Sequence, residues 1–101
     1  MHAVADICVI PLTGNISVRR EVARAHDVLR ATGLHVHLHA YGTNIEGPLP
    51  EILAAIQQVH EVLHDEGCPR LSTTIKLGTR TDKQSGMRDK VQAVEDILES
   101  T

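Results

Sequence analysis

The chain predicts an α+β fold: a four-stranded antiparallel sheet carrying two helices on one face, followed by a third helix. Two observations predict it. Segments with an apolar period of two alternate with segments of helical period, in the order β-α-β-β-α-β-α. The 101 residues contain 42% hydrophobic residues but no Phe, no Trp and one Tyr, so residues 1–101 make one small domain whose core is built from Val, Ile, Leu and Ala. A domain of this size buries only about two thirds of the surface its unfolded chain exposes, and oligomerisation is a natural way to bury more.

Ala3 to Pro11 (AVADICVIP) is rich in β-formers, apolar on most of both faces, and ends at a proline, which suits a first strand. The turn LTGN follows. Ser17 then stands where it can cap a helix whose stripe is Val18, Val22, Ala25 and Leu29, ending at Gly33. In LHVHLHAY, Leu34, Val36, Leu38 and Ala40 alternate with His35, His37, His39 and Tyr41, the pattern of a strand with one buried face, broken by Gly42. TNIEG forms a short third strand. Pro48 and Pro50 sit where helix starts tolerate proline, and Leu49, Ile52, Leu53, Ile56, Val59 and Leu63 define a second amphipathic helix closed by Gly67. Leu71, Thr73, Ile75 and Leu77 alternate with Ser72, Thr74 and Lys76 in a fourth strand that ends in GTRTDK. After Gly86, the residues Met87, Val91, Val94 and Leu98 form a third helical stripe, with Asp89 placed to suit the helix dipole.

The split β-α-β order is the ferredoxin-like pattern, a β-α-β-β-α-β sandwich, here with an extra C-terminal helix. One sheet face is then left without helices. The His35, His37, His39 and Tyr41 row or the Ser72, Thr74 and Lys76 row is expected on it, a face that invites the sheet of a sister subunit. Its histidines, among seven in the chain, make such an interface sensitive to mildly acidic pH.

Composition excludes several classes. A net charge of −3 with scattered Lys and Arg gives no basic stripe, and there are no aromatic platforms for bases, so nucleic acid is not an expected partner. The longest apolar run is too short to span a membrane. Cys8 lies in an apolar run and Cys68 in a Gly-Cys-Pro turn; with no secretory signal they read as reduced thiols of a soluble, cytoplasmic protein.

Two histidine patterns invite a metal. His60-Glu61-Val62-Leu63-His64 matches the H-E-x-x-H motif of zinc hydrolases, in which two histidines bind zinc and the glutamate polarises water. However, His60 falls within the apolar arc of its helix, Glu61 points toward solvent, and no downstream pattern supplies a third ligand. Two of His35, His37 and His39 could share a zinc ion. Strand positions four apart are roughly 13 Å apart, so all three cannot. No metal or cofactor is assigned. Neither cysteine has a base nearby in sequence and no phosphate-cradling loop appears, so the chain is expected to be no enzyme. Arg80 and Asp82 are placed to pair.

The segments VIPLTGNISV, YGTNIEGP and IKLGTRTDK resemble the small thiamine-binding-protein-like family over essentially the whole chain, its fungal branch in particular. The resemblance implies a ferredoxin-like subunit that pairs sheet to sheet as a dimer of dimers, a tetramer. It further implies non-catalytic binding of thiamine, or of its hydroxymethylpyrimidine portion, near subunit contacts. It places Thr43 and Glu46 in the family's polar loop, with Asn44 where a threonine is common; the histidine row is not a family feature. Gly42 and Gly47 allow close backbone approach, Thr43 and Asn44 offer donors and acceptors, and Glu46 supplies a carboxylate for an amino group or a cationic thiazolium. The expected ligand set is therefore Thr43, Asn44, Glu46 and Gly47, with Ser17 at a helix start. Two alternatives stay open: a loop whose polar groups merely satisfy its own backbone, and a regulatory or scaffolding oligomer whose histidine face meets a protein or a metal.

Overall fold

A computed structural model describes residues 1–100. Its elements are β1 (His2–Pro11), α1 (Arg19–Ala31), β2 (His35–His39), β3 (Gly42–Pro48), α2 (Leu49–Asp65), β4 (Leu71–Thr79) and α3 (Met87–Glu99). The strands form one antiparallel sheet in the order β2-β3-β1-β4, the ferredoxin-like topology with β1 and β3 in the middle.

Register fixes what each face carries. Ala5 lies opposite Ile45 of β3 and Leu77 of β4, so the odd positions of β1 share one face with Ile45. On that face Ala3, Ala5, Ile7, Val9 and Ile45 are buried beneath Ala25, Val28 and Leu29 of α1 and Ile52, Ala55, Val59 and Leu63 of α2. Leu29, Ile45, Ile52, Leu63 and Val59 are the largest fully buried side chains. Each such aliphatic side chain contributes about 1.5–3 kcal/mol by leaving water, which is how a core without Phe or Trp is held.

Both helices turn slightly from the expected stripes. On α1 the buried set is Ala25, Val28 and Leu29, and Val22 stays open; on α2, Ala55 enters the core and Leu53 is half exposed. Ser17 does not cap α1. The cap position is Val18, without a side-chain bond, and the Ser17 hydroxyl instead accepts from Arg19 Nε at 3.2 Å.

The opposite face bears both rows offered as alternatives, because His35, His37 and Lys76 all fall in register with the even positions of β1 and β3. Tyr41 lies past the end of β2 in the hairpin turn, 86% exposed. α3 has the expected stripe but no buried residue; Val91, Val94, Ile97 and Leu98 are 57–65% exposed. Among the described residues no helix is long and apolar enough to cross a membrane.

Candidate functional site

The GTNIEG segment is the expected third strand, and the alternation of β3 divides the polar residues that the family resemblance groups in one loop. Thr43, Ile45 and Gly47 face the helices and are buried; Asn44 and Glu46 face the bare side of the sheet. Thr43 and Ser17 therefore lie on the helical side, and Asn44 and Glu46 on the other.

On the helical side the Thr43 hydroxyl lies 3.2 Å from His26 Nδ1 of α1. The pair stands on the wall of a cleft of about 220 Å³ bounded by α1, the β2–β3 hairpin and the upper part of β1. β1 pairs with β3 only as far as Ile7, while its pairing with β4 runs on to Pro11, so no strand lies beside its outer edge at the cleft. Ile7, Val22, Leu29 and Leu38 supply apolar walls, and Tyr41 stands at the mouth. Val18, Val22, His26 and Leu38 are shared with a wider open groove of about 950 Å³ along α1, where Ser17 lies. His26 was not singled out by the sequence pattern. Its signal is positional: four residues after Val22 and next to buried Ala25, it sits on the flank of the stripe that looks toward β3.

Gly42 holds the hairpin against β1, since a Cβ there would lie 2.6 Å from the carbonyl oxygen of Ile7. Gly47 does the same against Leu34, whose Cδ2 would lie 2.8 Å from an added Cβ. Close packing by itself thus calls for a glycine there.

On the bare face Glu46 is engaged within the chain. Its Oε2 lies 3.1 Å from His2 Nε2 and accepts from the Met87 backbone N–H at 3.3 Å. Met87 opens α3, where backbone amides lack intrahelical acceptors and a carboxylate is favoured by the dipole. Asp89 completes this end by accepting from the Gly86 N–H at 2.9 Å. Removing the carboxylate with Glu46→Ala is expected to weaken the first turn of α3 by about 0.5–2 kcal/mol. Faster amide exchange confined to α3, with the rest of the chain unchanged, is the measurement that checks it.

Asn44 Nδ2 donates to Asp6 Oδ1 at 3.5 Å, and the same oxygen lies 2.6 Å from His39 Nε2. His39 Nδ1 accepts from the Tyr41 backbone N–H at 3.2 Å, which puts the proton of the neutral ring on Nε2, aimed at Asp6. Cys8 shares this face and Cys68 is buried; both are free thiols.

The H-E-x-x-H residues are used structurally. His60 Nε2 is 2.6 Å from Thr73 Oγ1 of β4, His64 Nδ1 donates to the Cys68 carbonyl at 2.7 Å, and Glu61 accepts from Gln57 at 2.9 Å. The two rings lie 6.1 Å apart, edge to face. Among the described residues no three His, Cys, Asp or Glu side chains converge as a metal site. Past β4, Arg80 bonds Asp82 through both Nε and Nη2. That hydrogen bonding holds the Asp82 carboxyl well below the usual carboxylate range and raises the Arg80 guanidinium.

Comparison with known proteins adds the following. Residues 5–95 match the family model described as thiamine-binding protein. The chain is 44% identical over 101 residues to a UPF0045 protein of Synechocystis sp., covering 100% of this chain and 84% of that one. It is 43% identical over 99 residues to the UPF0045 protein ECM15 of Eremothecium gossypii, covering 97% and 94%. A solved structure of a hypothetical protein from Methanocaldococcus jannaschii superposes with a TM-score of 0.87 at 32% identity, over 94% of this chain and 97% of that one.

Proposed function

The chain belongs to the thiamine-binding protein family, and from that premise we propose that it is a non-catalytic, oligomeric cytoplasmic binder of thiamine or of its hydroxymethylpyrimidine portion. The observation that carries the site is the Thr43–His26 pair at 3.2 Å on the wall of an apolar cleft of about 220 Å³. Small-molecule sites combine apolar walls with a few convergent polar groups, and this volume, below that of a drug-sized pocket, suits a single ring. An aminopyrimidine presents an amino donor beside ring-nitrogen acceptors. The Thr43 hydroxyl both donates and accepts, and the free edge of β1 adds backbone groups. Leu38 and Val22 give the flat ring apolar contact.

In this proposal Asn44 and Glu46 belong to the sheet face that meets a sister subunit, and Gly47 keeps β3 tight against Leu34. The bare face and the open stripe of α3 support assembly as a dimer of dimers. Titration calorimetry with thiamine and with hydroxymethylpyrimidine tests the reading. Wild type should release heat with at least one of them, and Thr43→Val should weaken binding about tenfold or more, ~1–3 kcal/mol for a lost buried hydrogen bond. Glu46→Ala should bind as wild type. If Glu46→Ala loses binding and Thr43→Val does not, the ligand lies on the sheet face. No heat from either compound with the wild type overturns the proposal.

A further inference from the structure

The GTRTDK segment that ends β4 plays no part in the site above, yet it frames a second concavity at the other end of β1. His2 and Val4 of β1, Gly78 of β4, the 79–85 segment and Lys90 in the first turn of α3 enclose a cleft of about 570 Å³. Its charge is one-sided. His2, Arg80, Lys83 and Lys90 line it, and among the described residues no carboxylate does. The acidic groups nearby are already taken: Glu46 by His2 and the Met87 amide, Asp82 by Arg80, Asp89 by the Gly86 amide. The ammonium groups of Lys83 and Lys90, in contrast, make no hydrogen bond and no close ion pair among the described residues; Lys83 feels only the field of Asp82, and Lys90 bonds Gly86 through its backbone alone. In a chain of net charge −3 a cleft of this sign is not background.

We propose that this cleft, formed by the N-terminal end of β1, the GTRTDK segment and the start of α3, binds the phosphoryl group of a small phosphorylated molecule or free phosphate. The donor set selects phosphate over carboxylate. Planar carboxylates are held best by the fork of an arginine, and the guanidinium here is spent on Asp82 in a two-pronged contact. What remains are two ammonium point charges and the hydroxyls of Thr79, Thr81 and Ser85, which suit an anion with three acceptor oxygens. Both lysines are exposed, so an anion reaches them without any rearrangement of the core.

The site is independent of the pyrimidine cleft. The nearest residues of the two concavities on β1 are Val4 and Ile7, which point to opposite faces of the sheet and stand roughly 10 Å apart along the strand. Each can fail without the other.

The test uses the whole chain labelled with nitrogen-15 and titrated at constant ionic strength with inorganic phosphate, with glycerol phosphate and with acetate. Saturable amide shifts confined to residues 79–90 are expected with a phosphate and not with acetate. The double substitution Lys83→Gln, Lys90→Gln should weaken that binding tenfold or more while the rest of the amide spectrum stays in place. Tighter binding of the ester assigns the site to a phosphorylated metabolite; equal or tighter binding of inorganic phosphate assigns it to the free ion. Shifts that never saturate, acetate that binds as well as phosphate, or a double variant equal to wild type overturns the proposal. Thiamine added to the same samples reports separately at Thr43 and His26.

Discussion

Ile45→Ala is expected to lower the stability of the chain by about 2–5 kcal/mol, a large fraction of what a domain of this size possesses. Ile45 sits in the central strand β3, is 0% exposed, and shares its face with Ala5 on one side and Val36 on the other. With no Phe or Trp in the chain, no large neighbouring ring can tilt into the space. The cavity stays, and its cost adds to the lost transfer energy of the removed carbons. Urea unfolding checks the expectation: the midpoint should fall and the slope should not change, because the surface exposed on unfolding is nearly the same. A loss below about 1 kcal/mol would mean that the two helices settle onto the sheet.

Gly42→Ala is expected to cost about 1–3 kcal/mol by the opposite route, overpacking. The obstacle is the Ile7 carbonyl oxygen, 2.6 Å from where the Cβ would stand. A side chain in that position could rotate away; a backbone carbonyl cannot, and β1 is held on its far side by nine residues of pairing with β4, from Ala3 to Pro11. The hairpin must then lift, which also reshapes the cleft beside Thr43. Gly78→Ala is the control, since nothing lies within 4 Å of a Cβ there. Thermal midpoints of the two variants, measured side by side, separate a steric cost from a general cost of losing a strand glycine.

The element order was legible because the chain keeps its periods cleanly. LHVHLHAY contains the strand His35–His39, although its expected buried face stays largely open, with Val36 half-buried and Leu38 55% exposed; Gly67 follows the end of α2 and Gly86 precedes α3 as expected. Less legible was the division of the polar segment. Thr43, Asn44 and Glu46 fall within four residues and are all polar, so they read as one patch, whereas a two-residue period sends neighbours to opposite faces. The segment reads as a third strand, and only the period of two applied residue by residue sets Thr43 apart from Asn44 and Glu46. His26 was hidden for another reason, since its partner Thr43 is 17 residues away and the pairing depends on how α1 is rotated over the sheet. Ser17 looked like a cap because serine before a helical stripe usually is one; here the cap position falls one residue later, at Val18, the helix begins at Arg19, and the hydroxyl turns to Arg19. The alternative in which the segment satisfies backbone groups describes the contact of Glu46 with the Met87 amide, though not the burial of Thr43 against a side chain on another element.

The position of Tyr41 has an optical corollary. As the single aromatic residue of the chain, 86% exposed on the turn that rims the Thr43 cleft, it is the sole source of intrinsic ultraviolet emission. That emission is nearly blind to the melting of the interior, where no fluorophore resides, yet it is placed to be quenched or shielded by a ring arriving next to it. A dim spectrum from this protein is thus a local gauge of one doorway rather than a thermometer for the whole.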